Sequence, residues 1–196
     1  MYSKNIIKIV SLGVLTVLVS ACEPALHSKS SIKERYSYNR DGTITDTLTN
    51  LTWMRCSLGQ KWTGSTCVGE AAEMSWSEAI NAAESFAHGG FSNWRIPLVE
   101  ELDSLVQCPI GRKPSVRPDG HYVEDTDGRC HGSEYIKAKI NNNAFPNTPA
   151  DWFWSSSPNT NHPNFVWYVG FNHGIVGNSH KNSNSKSRAR LVRSGD

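Results

Sequence analysis

Residues 75–102 read SWSEAINAAESFAHGGFSNWRIPLVEEL, and the helical half of the fold is written in them. Ser75 is a helix N-cap, with Glu78 three residues on as a capping box requires. Met74, just before the cap, is placed to staple onto Ala79. Trp76, Ala79, Ile80, Ala83, Phe86 and Ala87 recur at helical spacing and form one apolar face. Gly89-Gly90 then stops the helix, because glycine takes the left-handed conformation at no steric cost. FSNWRIP (91–97) runs extended into a proline, and a second helix is predicted over 99–106 with Leu102, Leu105 and Val106 inward.

Strand signals lie on both sides. Before the helices, Tyr36-Ser37-Tyr38 alternates, Asp41-Gly42 marks a tight turn, and Thr43-Ile44-Thr45 alternates again, followed by a short strand at 51–54. Residues 56–67 form a loop holding Gly59, Trp62 and Gly64. After the helices, 107–150 is irregular and rich in Pro, Gly, Asp and Asn. Strands return at 152–155, 165–171 and 175–176, and GNSHKNSNSKS (177–187) is polar and loop-like before a last strand over 188–193. There are no internal repeats. The order implies an α+β domain, two helices packed on antiparallel β-sheet with long irregular loops.

The N-terminus has the layout of an export signal. Lys4 and Lys8 precede an apolar run over 9–19, too short to span a membrane comfortably, and Val19-Ser20-Ala21-Cys22 follows. That tetrapeptide resembles the lipobox of bacterial lipoproteins. It implies cleavage after residue 21, lipidation of Cys22 and stable anchoring once more than one acyl chain is attached. Glu23 rather than Asp follows the cysteine, which resembles lipoproteins sent to the outer membrane. Residues 22–35 read as a flexible tether and 36–196 as the domain.

Charge and cysteine bound the rest. Without Lys4 and Lys8 the 20 basic residues fall to 18, equal to the 18 acids, so the mature chain is neutral and nothing indicates nucleic-acid binding. Four cysteines remain in an oxidising compartment, and an even count reads as two disulfides. Of three possible pairings the local ones are favoured, Cys56–Cys67 and Cys108–Cys130, each closing a loop rich in turn-forming residues. A four-cysteine zinc site is disfavoured by the lack of any C-x-x-C pair.

DGTITDTLTNLTWMR (41–55), the quoted helical stretch with its G-x-x-x-W-R-x-P core, FWSSS (153–157), VWYVGFNHGIV (166–176) and the closing RLVR (190–193) together resemble the Lcl C-terminal domain family, first described at the end of a bacterial collagen-like adhesin. The resemblance covers about residues 36–193 and implies a C-type-lectin-like fold. Leu98 stands where members often carry a capping threonine, and Leu191 where many carry cysteine, which supports the local disulfides.

Candidate chemistry is sparse. Trp53, Trp94, Trp154 and Trp167 read as core, while Trp62 and Trp152, in or beside loops, are better placed to meet a ligand. Arg95, inside an apolar segment, needs a carboxylate, with Glu100, Glu101 and Asp46 as candidates. Asn39, Asp41 and Asp46 around Gly42 read as a turn rather than a calcium loop, and the calcium-lectin triplets E-P-N and Q-P-D do not occur. Histidines 121, 131, 162, 173 and 180 show no metal-ligand spacing, so no metal or cofactor is expected. There is no G-x-S-x-G elbow, and no cysteine after Cys130 to support the chemistry of the related formylglycine-generating enzymes; catalysis is not expected.

No acid occurs between Gly170 and Gly195, where Lys181, Lys186, Arg188, Arg190 and Arg193 are interleaved with Asn and Ser. Such a face suits an acidic polysaccharide, although lysines on an edge strand also serve to block aggregation. The expectation is a lipid-anchored envelope module binding acidic glycan or an envelope protein, with Trp152, Asn172, His173, Lys181, Lys186, Arg188 and Arg190 as contacts. The alternative is a lipoprotein inhibitor of a toxin or enzyme, meeting its target through the 107–150 loop.

Overall fold

A computed structural model describes residues 34–113, 128–132 and 138–195. The expected signal peptide and most of the expected tether, with Cys22, His121 and much of the 107–150 loop, lie outside the described residues. Asp41-Gly42 turns the chain as its composition demands. Asp41 accepts hydrogen bonds from the Thr43 amide and hydroxyl (3.0 and 2.7 Å), and Gly42 sits at φ +85°, a region that costs a side chain dearly. The turn joins β1 (Tyr36–Tyr38) to β2 (Thr43–Asp46), and β3 (Leu51–Met54) pairs antiparallel with β2. The C-terminal β9 (Val192–Ser194) returns to pair with β3, giving the sheet order β1-β2-β3-β9.

The segment leading into β9 departs from the predicted strand over 188–193. The Arg188 backbone bonds both Trp152 and Trp154, Ala189 accepts from Leu58, and Leu191 accepts from Met54. Residues 188–191 therefore bridge two sheets instead of extending one. The second sheet is β6 (Trp152–Pro158), β7 (Phe165–Gly170) and β8 (Ile175–His180), ordered β6-β7-β8 and antiparallel. β8 is longer than its apolar content suggests, because Gly177 to His180 pair with β7 in full register. A small hairpin, β4 (Lys61–Trp62) with β5 (Cys67–Val68), stands where a plain loop was predicted. Both local disulfides are formed, Cys56–Cys67 and Cys108–Cys130.

The two helices flank the second sheet. α1 (Trp76–Glu84) has the complete capping box: the Ser75 hydroxyl accepts from the Glu78 amide, and the Glu78 carboxylate accepts from the Ser75 amide at 2.7 Å. Its Ala79 and Ala83 are buried with Trp94, Ile96, Trp154, Val166 and Leu191. The helix ends earlier than predicted, and Ala87 is exposed. The Ser85 hydroxyl bonds back to Asn81 O, and Gly89-Gly90 serve a separate tight turn in which His88 and Phe91 exchange both backbone hydrogen bonds. α2 (Val99–Asp103) is shorter than predicted, its last residues continuing only as i→i+3 turns at Leu105 and Val106. Leu98 supplies no cap. The Ser157 hydroxyl on β6 accepts from the Val99 amide instead (3.0 Å), and Glu101 accepts from the Leu98 amide (2.7 Å). Leu102 and Leu105 are buried with Trp53, Phe145, Phe153, Trp167 and Phe171. The sheet thus separates two apolar cores: Phe153, Val169 and Val176 face one, while Trp154 and Val166 face the other.

Candidate functional site

β8 lies at one edge of its sheet, and Arg188 bonds the β6 strand at the opposite edge. Residues 181–187 therefore cross the sheet face as a strap. The strap is pinned at its start by Lys181 N to Asn164 O and at its end by reciprocal bonds between Ser187 and Met74. Beneath it lies a cleft of about 310 Å³.

The floor of the cleft is aromatic, for a reason visible in the register. Trp152 is paired with Gly170 and Tyr168 with Gly177. A Cβ on Gly170 would sit 2.5 Å from the Trp152 ring, and one on Gly177 would sit 2.7 Å from the Tyr168 ring. Each ring lies flat across a glycine on the neighbouring strand, where any side chain would lift it. The two rings meet edge to face at 4.8 Å, with Trp154 behind Tyr168 at 6.2 Å. The Trp154 indole donates to Met74 O, which holds it as backing. Around this floor stand Asn178, Ser179, Ser185 and Ser187 and, among the described residues, one cation, Lys186. Lys186 is exposed and lies near the start of α1. The Ser75 amide and hydroxyl, with a smaller contribution from the Lys186 ammonium, hold the Glu78 carboxyl below its ordinary pKa.

The predicted contact set is divided by this geometry. Trp152 and Lys186 line the cleft together. His173 lies beside Trp152, ring centres 6.5 Å apart, in the 172–174 turn that packs on the Cys108–Cys130 bridge. Burial, then the Arg129 and Lys139 charges, lowers its pKa. Asn172 is half-buried in the same turn, its Oδ1 without a hydrogen-bond partner among the described residues. Lys181 turns to the Trp76 ring at 5.5 Å.

The two arginines require correction. Arg188 bonds Asp151 (3.0 Å), Glu73 (2.9 Å) and Ala71 O, so its fork is already filled. Arg190 is fully buried. It donates to Met54 O, Arg55 O, Ser57 Oγ and Thr148 Oγ1, and its guanidinium lies over Phe145 at 4.8 Å. Burial, only partly offset by Tyr36, pushes its pKa down to about 9. Arg193, also buried, stacks on Phe91 at 3.6 Å. The charge density read along this segment therefore points largely into the domain.

The core tryptophans and the carboxylate partner of Arg95 stand as read. Trp53, Trp94, Trp154 and Trp167 are all core. Arg95 grips Glu101 through two bonds (2.7 and 2.6 Å), while buried Asp46 is taken by Arg35. Trp62 is half-buried under the Arg55 guanidinium at 4.1 Å, so it packs instead of presenting a free face. No group of three or more metal-ligating side chains occurs among the described residues. Tyr168, Asn178, Ser179 and Ser185 were not anticipated as site residues. Tyr168 was hidden in an apolar run, but the amide- and hydroxyl-rich 177–187 segment carried a visible signal.

Fold and cleft define a class: a disulfide-stapled α+β domain with a shallow aromatic cleft rimmed by amides, hydroxyls and an ammonium group, the composition of a binding surface. The chain belongs to the Lcl C-terminal domain family, whose model matches residues 42–193. No curated protein and no solved structure matches the chain.

Proposed function

We propose that this chain is a lipid-anchored binding module of the bacterial cell envelope, C-type-lectin-like in fold, and that the cleft under the strap takes a sugar ring of an acidic glycan. The observation that carries this reading is the pairing of two glycine-backed rings, Trp152 and Tyr168, with a rim of Asn178, Ser179, Ser185 and Lys186. A pyranose buries its C–H face on aromatic carbon and offers hydroxyls to amides and serines at its edge. Lys186 supplies a point charge for one carboxylate or sulfate. Since Arg188 and Arg190 are engaged inside the domain, recognition rests on shape plus one charge and not on a polybasic surface.

Two formed disulfides are in keeping with an oxidising compartment. The lipobox-like sequence ending at Cys22 and the Glu23 after it support anchoring at the outer membrane. Membrane fractionation and acyl labelling of wild type against Cys22→Ser test the anchor. For the cleft, the full chain is titrated with a sulfated oligosaccharide and its desulfated counterpart. Binding that favours the sulfated form, weakens modestly with salt and drops in Lys186→Gln and Asn178→Ala supports the proposal. Undiminished binding in both variants refutes it.

A further inference from the structure

A second recess, of about 290 Å³, shares no lining residue with the cleft. One wall is β1 with the two residues before it; the other comes from Gln107, Asn141 and Asn143. Its chemistry differs from that of the cleft. Arg35 is spent, donating to Asp46 through Nε and Nη2 (3.0 and 2.6 Å) and to Ser104 O through Nη1 (3.0 Å). Glu34 is exposed and acidic, so among the described residues the recess offers no free cation, and its exposed charge opposes an anion.

What it offers is a held ring and amides. Tyr38 is 49% exposed. The Arg55 guanidinium sits over its ring at 5.0 Å, and Arg55 is itself fixed by Asn143 O, Ala144 O and the Trp62 ring. Tyr38 lines the recess while Arg55 is not among its lining residues. A ring already clamped loses little freedom on binding. Asn141 Oδ1 accepts from the amides of Asn143 and Ala144 (3.0 and 3.1 Å), which leaves its NH2 group as a donor. The Gln107 and Asn143 side chains are exposed and make no hydrogen bond among the described residues, so each offers both a donor and an acceptor.

We infer that this recess is a second saccharide site, selective for a neutral sugar bearing an acetamido group. The acetamido N–H and C=O pair with the side-chain amides of Gln107 and Asn143, and the sugar face lies on Tyr38. Neutral amide recognition here complements the single-cation recognition in the cleft, and one polymer carrying both kinds of unit engages the domain at two points.

Calorimetric titration of the full chain with triacetylchitotriose, against maltotriose as the neutral sugar without acetamido groups, tests it. Triacetylchitotriose binds with little salt dependence, and maltotriose does not. The double variant Gln107→Ala/Asn143→Ala, at two exposed positions, keeps its circular dichroism and loses about tenfold in affinity, the yield of two modest hydrogen bonds. Lys186→Gln leaves this binding unchanged. Three results would each overturn the inference: no heat at the solubility limit of triacetylchitotriose, wild-type affinity in the double variant, or loss of binding in Lys186→Gln, which would place the sugar in the cleft. Failure of the acidic saccharide to bind overturns the cleft proposal and leaves this one standing.

Discussion

Arg190→Ala separates an internal role from a ligand contact. The guanidinium meets no carboxylate; it satisfies two backbone carbonyls and two hydroxyls and fills space beside Phe145 and Phe153. Truncation leaves those carbonyls without this donor, at about 1–3 kcal/mol each if no water replaces it. A cavity adds about 2–5 kcal/mol. Against these stands release from burying a charge with no anion beside it, several kcal/mol in the opposite direction. The balance is a loss of about 2–4 kcal/mol, which lowers Tm by about 5–15 °C for a domain of this size. Arg190→Met restores most of the volume without the charge and costs no more than about 1–2 kcal/mol. Urea unfolding followed by tryptophan fluorescence, with both disulfides intact, gives the ranking. An Arg190→Ala protein with wild-type stability but impaired glycan binding would refute the internal assignment.

Three further outcomes follow from the same contacts. Gly177→Ala places a methyl 2.7 Å from the Tyr168 ring, so it costs about 1–3 kcal/mol by overpacking and abolishes cleft binding, read by thermal melts and titration. Ser157→Ala removes the borrowed cap on Val99 and lowers stability by about 1 kcal/mol in urea. Tyr36→Phe is nearly neutral at pH 7, because the buried Tyr36 hydroxyl has no hydrogen-bond partner among the described residues. Burial raises the Tyr36 pKa from 10.0 to about 12. Unfolding therefore releases a proton between those values, and Tyr36 makes stability fall as pH rises through that window. The variant loses this component, read by urea unfolding across that pH window.

The start of α1, the Asp-Gly turn and the disulfide pairing were legible because each depends on residues close in sequence. Ser75 and Glu78 are three apart, and Cys56 and Cys67 eleven. What was not legible depends on partners brought in from afar. Ser157 caps a helix 58 residues away. Arg190 reaches carbonyls 136 and 135 residues upstream, so the basic run could not show that its guanidinium turns inward. β8 extends through polar residues because β7 supplies its register, a constraint that local hydrophobicity does not contain.

The same distinction governs what family membership transfers. Many residues by which the resemblance is recognised are structural here: Trp53, Trp94 and Arg190 are buried, and Arg95 is engaged with Glu101. Asn178, Ser179, Ser185 and Lys186 lie outside the quoted motifs, on the end of β8 and the strap. The framework tolerates change there, since none of these four is buried. Exchanging 182–186 for another polar strap should therefore alter which saccharide is bound while leaving the melting temperature within a few degrees of wild type. A strap exchange that unfolds the domain, or one that leaves specificity untouched, would move recognition away from the cleft.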